Sequence, residues 1–425
     1  MNLFLYPFTL PRPRDEDGSN CLDLRFKLKD QNGLFLSESR RVLFRFFDDS
    51  SNDELHKLPL GQVVNADTCT GRGIWIIFIS GRTLPLIRPS MMEAGIIGGA
   101  GYTGLELIRL LVMHPKVKLS VVTSRRYKGK QVSAVNPHLV PFIELEYEDV
   151  DTGELADRCD LVFLAVPHGS AMDYVPELME SGTRVIDLSA DYRLKRAEFE
   201  RVYKRAHKDK EERDAVYGLT ELHPEVADAA LVANPGCYPT GAILAVAPLV
   251  NEGIVKQVIF DSKSGISGGG VEPSEVSHFP NLAENIIPYE VTTHRHVAEM
   301  RRELPVPISF TPHVIPCIRG ILTTAHVFVN EGESKTYEEL EEIYRQFYKG
   351  KRFIRLIKGM PSLSSVRGTN FCDIRYEVEK ESERIVVIST IDNLVKGGSG
   401  QAIQNMNLML GLVEEEGLWS PGLVP

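Results

Sequence analysis

Residues 94–114 read Ala94-Gly95-Ile96-Ile97-Gly98-Gly99-Ala100-Gly101-Tyr102-Thr103-Gly104-Leu105-Glu106-Leu107-Ile108-Arg109-Leu110-Leu111-Val112-Met113-His114. Ala94–Ile97 is a short apolar strand that ends in a glycine turn. Leu105–His114 follows as a helix with Leu105, Ile108, Leu111 and Val112 on one face. Gly98, Gly101 and Gly104 permit a tight turn and bring backbone N–H groups close to a pyrophosphate at the positive end of the helix. A ligand-free glycine-rich turn has the same composition, but strand, glycines and helix in this order favour nucleotide binding.

Downstream, Val117–Thr123, Asp160–Val166 and Arg184–Leu188 read as further strands. Strands alternating with helices imply right-handed βαβ units and a parallel sheet. The pattern changes after Cys237. Val255–Ser262, Ile308–Pro316, Leu322–Val329 and Ile385–Ile391 read as strands with fewer helices between them, as in a mixed or antiparallel sheet. A final helix, Gly400–Leu412, follows a glycine-rich turn. The expected division is a nucleotide-binding domain over 91–236, an α+β domain over 237–392 and a C-terminal segment, 393–425, that returns to the first. Upstream, residues 1–90 show no sustained period and form no assignable domain, with disorder one reading. An organellar transit peptide would be poor in acids, whereas Asp15, Glu16, Asp17, Asp23 and Asp30 stand here. The preferred reading is an extension upstream of a start at Met91 or Met92.

The chain has 425 residues, enough for two or three domains. With 43% apolar and 25% charged residues, its core needs no disulfide or metal staple. A net charge of −10 argues against nucleic acid as a partner, while a local Arg and His cluster can still hold a small anion. Cysteines at 21, 69, 159, 237, 317 and 372 show no CxxC spacing, which suits reduced thiols in a cytoplasm-like compartment. No run reaches the ~18 apolar residues of a membrane span. The polar Pro11–Asp17 fits no secretory signal.

Four motifs carry chemistry. Thr123-Ser124-Arg125-Arg126 follows the second strand, where an acid commonly holds the ribose hydroxyls of NAD. A hydroxyl and two arginines suit the 2′-phosphate of NADP instead. Asn234-Pro235-Gly236-Cys237-Tyr238-Pro239-Thr240 places Cys237 at a helix N-terminus, where the dipole is expected to lower its pKa. The other cysteines read as inert. His294-Arg295-His296 offers a general base, and Glu299 shares a helix face with His296 and is placed to orient it. His294 has no such partner in sequence. Without further Cys or His at ligand spacing, zinc is not expected. Finally, Ser264–Gly270 can bring backbone donors or the Ser264 hydroxyl to a phosphate or oxyanion. Arg319 is an anion clamp or a surface charge, and the loop Asn393–Gln401 leads into the last helix.

Together these motifs resemble the N-acetyl-gamma-glutamyl-phosphate reductase family, the acyl-phosphate reductases of arginine biosynthesis. The resemblance runs through GGAGYTG (98–104), AVPHG (165–169), DLSADYRL (187–194), YGLTE (217–221), NPGCYPTG (234–241), SGISGGG (264–270), HRHVAE (294–299), TPHVIPCIRG (311–320) and DNLVKGGSGQAIQNMN (392–407). It implies an α/β chain: a Rossmann NADP-binding domain completed by the C-terminal helix, plus an α+β catalytic and oligomerisation domain. It implies NADP(H) held by Gly98, Gly101, Tyr102, Thr103, Gly104, Ser124, Arg125, Arg126, Pro167, Asn393 and Gly398. Cys237 is then the nucleophile, His296 its proton partner and Glu299 a support. His294, Arg295, Arg319 and Ser264 line the substrate site. The expected partners are a small acyl phosphate, inorganic phosphate and further copies of the chain. Gly269 replaces the alanine common in the family's SGxSGAG loop, and residues 1–90 have no family counterpart. Two rivals remain: a lysine-pathway reductase acting on a carrier-protein-bound acyl phosphate, and a non-catalytic NADP-binding regulator, against which the Cys and His pair argues.

Overall fold

The apolar strand Met92–Ile97 sits inside a seven-stranded parallel sheet. In spatial order the strands are Val216–Tyr217, Leu231–Ala233, Arg184–Asp187, Leu161–Leu164, Met92–Ile97, Val117–Thr123 and Tyr147–Glu148. The central ones are buried on both faces, as a sheet covered by helices on each side requires. The helix Tyr102–Leu111 packs Leu107, Ile108 and Leu111 into one core cluster with Ala94 and Ile96. The final helix, Gly400–Met409, adds Ala402, Ile403, Met406 and Met409 to that same cluster.

A second seven-stranded sheet is mixed: Ile287–Pro288, Ile308–Ile315, Val255–Gly265, Ile321–Val329, Arg384–Ile391, Cys372–Glu379 and Ile354–Leu356 in spatial order. Val255–Gly265 runs parallel to Ile308–Ile315 and antiparallel to Ile321–Val329. One face carries the helix Cys237–Asn251, buried on nearly every side because its sequence is apolar all round. Ile243, Leu244, Val246 and Leu249 pack there with Val258, Phe260, Ala325, Val327 and Val387. Truncating such a fully buried leucine to alanine costs about 2–5 kcal/mol. The core therefore rigidly fixes the residue at the helix head, Cys237.

The computed structural model describes residues 91–379 and 384–424, together with the backbones of the strands Cys21–Lys29, Phe35–Arg45, Phe78–Ile79 and Arg82–Thr83. The chain divides into two units, Met1–Met91 and Met92–Pro425. In the first, Cys21–Lys29 pairs antiparallel with Phe35–Arg45, and Phe78–Ile79 with Arg82–Thr83. This corrects the expectation that residues 1–90 lack strand rhythm. Leu22, Leu24, Phe26 and Leu28 alternate with Asp23, Arg25, Lys27 and Lys29, the period-2 signature of a strand. The readings of disorder or targeting there fall largely outside the described residues. Among those residues, no helix is long and apolar enough to cross a membrane.

Candidate active site

A cleft of about 740 Å³ runs from the glycine turn to Cys237. Gly98, with φ +91°, begins it, and a side chain there would strike the Ala165 carbonyl oxygen at 2.4 Å. Gly104 does a different job from the other two: a Cβ would lie 2.4 Å from the Gly98 oxygen, so it lets helix and turn close on each other. Gly101 has open space in front of it, and no side chain caps the helix that starts at Tyr102. Uncapped amides at a helix N-terminus facing an open cleft fit a dinucleotide pyrophosphate. Thr103, Ser124, Arg125, Pro167, Asn393 and Gly398 also line the cleft. Arg126 does not, and stands exposed 3.5 Å from Glu272.

Cys237 is the first residue of its helix, and His296 lies against the same turn: a Cβ on Gly236 would sit 2.7 Å from His296 Nε2. The thiol departs from expectation. Burial pushes it up to about 11, outweighing the Arg193 guanidinium and the backbone N–H groups that favour thiolate. In the free chain Cys237 is a thiol at neutral pH.

His296 is buried, and its Nδ1 has no hydrogen-bond partner. Burial, then His294, Arg193, Arg295 and His168, holds its pKa well below the ordinary value, so the ring is a neutral base. Glu299 is not hydrogen-bonded to it; its Oε1 lies 3.9 Å from His296 Nε2. The carboxylate instead accepts from Arg193 Nη1 at 3.1 Å, Tyr217 OH at 3.0 Å and Gly236 N at 2.9 Å. Glu299 thus holds the turn that carries Cys237 rather than the ring of His296. His294 is buried behind, its Nδ1 accepting the His296 N–H at 3.1 Å. It does have an acidic neighbour, Glu290 at 3.7 Å, and burial followed by Arg295 lowers it to about 4.

Arg295 opens onto the cleft, but three expected substrate contacts, His294, Arg319 and Ser264, do not line it. Arg319 bonds Glu106 at 2.8 Å and stands 3.6 Å from Asp392. It is a brace whose partner lies 213 residues away. Ser264 donates to the Gly265 carbonyl at 3.0 Å and lies under the loop, where Ser267 and Gly268 take its place in the cleft.

Sequence reasoning missed Arg193 and His168. Arg193 donates to Asn234 O at 2.7 Å and Leu188 O at 2.8 Å besides Glu299. Two of its partners, Asn234 and Glu299, lie 41 and 106 positions away, so only its place in the DLSADYRL block could have marked it. His168 lines the cleft, and burial with Arg193, Arg295 and Arg205 lowers it to about 3.

The semialdehyde dehydrogenase NAD-binding domain matches residues 93–230, and the semialdehyde dehydrogenase dimerisation domain matches 237–393. Fold and site thus define a chain of the semialdehyde dehydrogenase class. Aspartate semialdehyde dehydrogenase II of Vibrio cholerae, solved with ASA, superposes with a TM-score of 0.59 at 16% identity, over 76% of this chain and 99% of that one. The Candida albicans aspartate semialdehyde dehydrogenase, solved with NADP, gives 0.60 at 17% identity, over 76% and 99%. Those likenesses show the fold.

The sequence relatives are nearer. N-acetyl-gamma-glutamyl-phosphate reductases of Methanothrix thermoacetophila and Methanosarcina barkeri are each 59% identical, over 79% of this chain and 100% of theirs. That of Archaeoglobus fulgidus is 53% identical over the same shares. The chain belongs to the N-acetyl-gamma-glutamyl-phosphate reductase family.

Proposed function

We propose that the protein reduces N-acetyl-L-glutamyl 5-phosphate to N-acetyl-L-glutamate 5-semialdehyde with NADPH, releasing inorganic phosphate, as a step of arginine synthesis. The observation that carries this reading is a single cleft holding an uncapped glycine turn at one end and Cys237 beside a neutral, buried His296 at the other. We read the chain as divided at 91–236, 237–392 and 393–425, a reading supported by each piece contributing residues to that cleft.

His296 takes the thiol proton of Cys237 as the substrate settles, because a neutral imidazole is free to accept it. The Cys237 sulfur then attacks the acyl carbon; the C–S bond forms, the C–O bond to phosphate breaks, and phosphate departs. Bound in the cleft, NADPH supplies the hydride that reduces the thioester carbonyl. The thiohemiacetal collapses to the aldehyde, and the sulfur leaves as thiolate stabilised by Arg193, with His296 returning the proton. Arg193 and Glu299 hold the Asn234–Cys237 turn through these steps, and Arg295 faces the substrate's negative charge. Arg125, which lines the cleft, would hold the 2′-phosphate of bound NADPH, with Arg126 beside it at the mouth.

The chain works as a homo-oligomer. Ile259, Asp261, Thr324, His326, Val386 and Ile388 form the half-buried face of the mixed sheet opposite the cysteine helix. His326 Nδ1 is enclosed there without a hydrogen-bond partner. We read this face as the one a second copy covers. The free thiols of Cys159, Cys237, Cys317 and Cys372 suit the cytoplasm.

The test is NADPH oxidation by the purified chain with N-acetylglutamyl phosphate and, separately, with carrier-protein-bound aminoadipyl phosphate. Turnover on the first alone is expected; turnover on the second alone would overturn the substrate.

A further inference from the structure

One wall of the cleft comes from a five-residue π-helical turn, Val395–Ser399. Gly397 N–H donates to Asp392 O at 2.9 Å, and Ser399 N–H to Leu394 O at 2.7 Å. Such wide turns are rare and recur where a site needs backbone in an unusual place. Three successive residues here reach three parts of the site. Gly397 lies so close to the nucleophile that a Cβ would sit 3.0 Å from Cys237 Cβ. The Gly398 carbonyl accepts from Asn234 Nδ2 at 3.1 Å, beside Cys237's own loop. Ser399 Oγ donates at 2.8 Å to the carbonyl of Thr103, on the first turn of the helix that heads the cofactor site.

Lys396 points the other way. Its side chain is 0% exposed, and its Nζ donates to Glu221 Oε1 at 2.6 Å and Gln404 Oε1 at 2.8 Å. Gln404 Nε2 in turn donates to Glu221 Oε1 at 3.0 Å and Thr220 Oγ1 at 2.6 Å. Burial raises the Glu221 carboxyl, but Lys396 and these bonds outweigh it and hold it below the ordinary range, so Glu221 is a carboxylate. A buried ion pair is a poor way to gain stability, because both charges must be stripped of water. What it supplies is direction: only one seating of the turn satisfies Lys396, and that seating aims Gly397, Gly398 and Ser399 at their three partners.

We propose that Lys396, paired with Glu221 and Gln404, is a positioning residue that sets the nucleophile's helix head and the cofactor's glycine turn in register through the Val395–Ser399 turn. The inference rests on the reading of Cys237 and the cleft given above. Its test uses the full chain and three variants. Lys396→Met leaves Glu221 an orphan charge, so Lys396→Met/Glu221→Leu is made beside it, and Glu221→Gln serves as the conservative change. The readouts are KM for NADPH, kcat, NADPH binding by fluorescence, and the rate of Cys237 alkylation by iodoacetamide, each where circular dichroism shows a folded chain. The double variant is expected to fold, with KM for NADPH raised about tenfold or more and the alkylation rate altered severalfold, because small misplacements at a site are costly. Glu221→Gln should stay within a few-fold of wild type. A folded double variant with wild-type KM, kcat and alkylation would overturn the proposal. So would failure of both Lys396 variants to fold, which would make the pair a stability element. Binding and alkylation need no acyl phosphate, so they report on Lys396 even where the substrate assignment fails.

Discussion

At the nucleotide end of the cleft, Arg125 and Arg126 stand in solvent, and the partner of Arg126, Glu272, is 80% exposed. At the thiol end, Arg193 and Glu299 form an ion pair whose side chains are 5% and 0% exposed, tied to Tyr217, Gly236, Asn234 and Leu188. Charges in water act weakly and are screened by salt. Charges in a closed network act together, because removing one strands the rest. The cofactor end can therefore be tuned by degrees, whereas the thiol end works or fails as a unit.

The sharpest way to break that contrast is at the nucleophile. Cys237→Ser should abolish turnover and leave NADPH binding unchanged, since a hydroxyl is a far poorer nucleophile at neutral pH and the cofactor seat lies at the other end. Near-wild-type kcat in this variant would end the covalent account.

Next in size is the histidine pair. His296→Asn should lower kcat by about 100-fold, the usual scale of lost acid–base help, and His294→Asn by much less. The wild-type pH profile should lose one limb only in the His296 variant. A larger loss at His294 would reverse their roles, and the buried position of His294 against His296 makes that a real contest. The same burial gives a stability signature. His294 is lowered to about 4, so below pH 6.5 the unfolded chain binds a proton that the folded one refuses. Its contribution is present above pH 6.5 and is lost as pH falls toward 4. His296, held lower still, acts in the same direction. Thermal melts should show Tm falling across that window, and less steeply in His294→Asn; equal slopes would contradict the neutral ring.

At the solvated end the effect should be smaller. The wild type should prefer NADPH to NADH, and Arg125→Ala/Arg126→Ala should erase about tenfold of that preference. Added salt should reduce it in the wild type as well. Equal kcat/KM for both cofactors in the unmutated chain would show that the loop does not read the 2′-phosphate. The smallest effect belongs to the N-terminal unit. A chain starting at Met92 should keep kcat and KM within about twofold, because the strand Met92–Ile97 and every cleft residue lie at or beyond that point. Loss of solubility or activity would assign the first unit a part in the fold.

What could be read from the sequence follows the same division. The glycine turn, the strand Val117–Thr123 and the head of the cysteine helix are local, set by neighbours a few residues apart, and all were legible. The mixed sheet was legible where its strands alternate, as in Val255–Gly265, but the strands Cys372–Glu379 and Ile354–Leu356 were missed. The closed network was not legible. Arg193 meets Glu299 across 106 positions and Lys396 meets Glu221 across 175. No spacing rule joins such residues, and a lone Arg or Lys in a polar motif looks like a surface charge. Arg319 failed for the same reason in the other direction: its partner Glu106 sits on the helix after the glycine turn and draws it away from the cleft. The thiol of Cys237 was misjudged because helix position is visible in sequence and burial is not.

The account turns on an acyl group carried by Cys237, and this can be caught directly. The purified chain is mixed with N-acetylglutamyl phosphate in the absence of NADPH, phosphate release is followed, and the intact protein and its peptides are weighed. The account predicts a rapid burst of about one phosphate per chain and an N-acetylglutamyl adduct on the peptide bearing Cys237, discharged as aldehyde when NADPH is added. Phosphate release that waits for NADPH, with no adduct at Cys237, would contradict it.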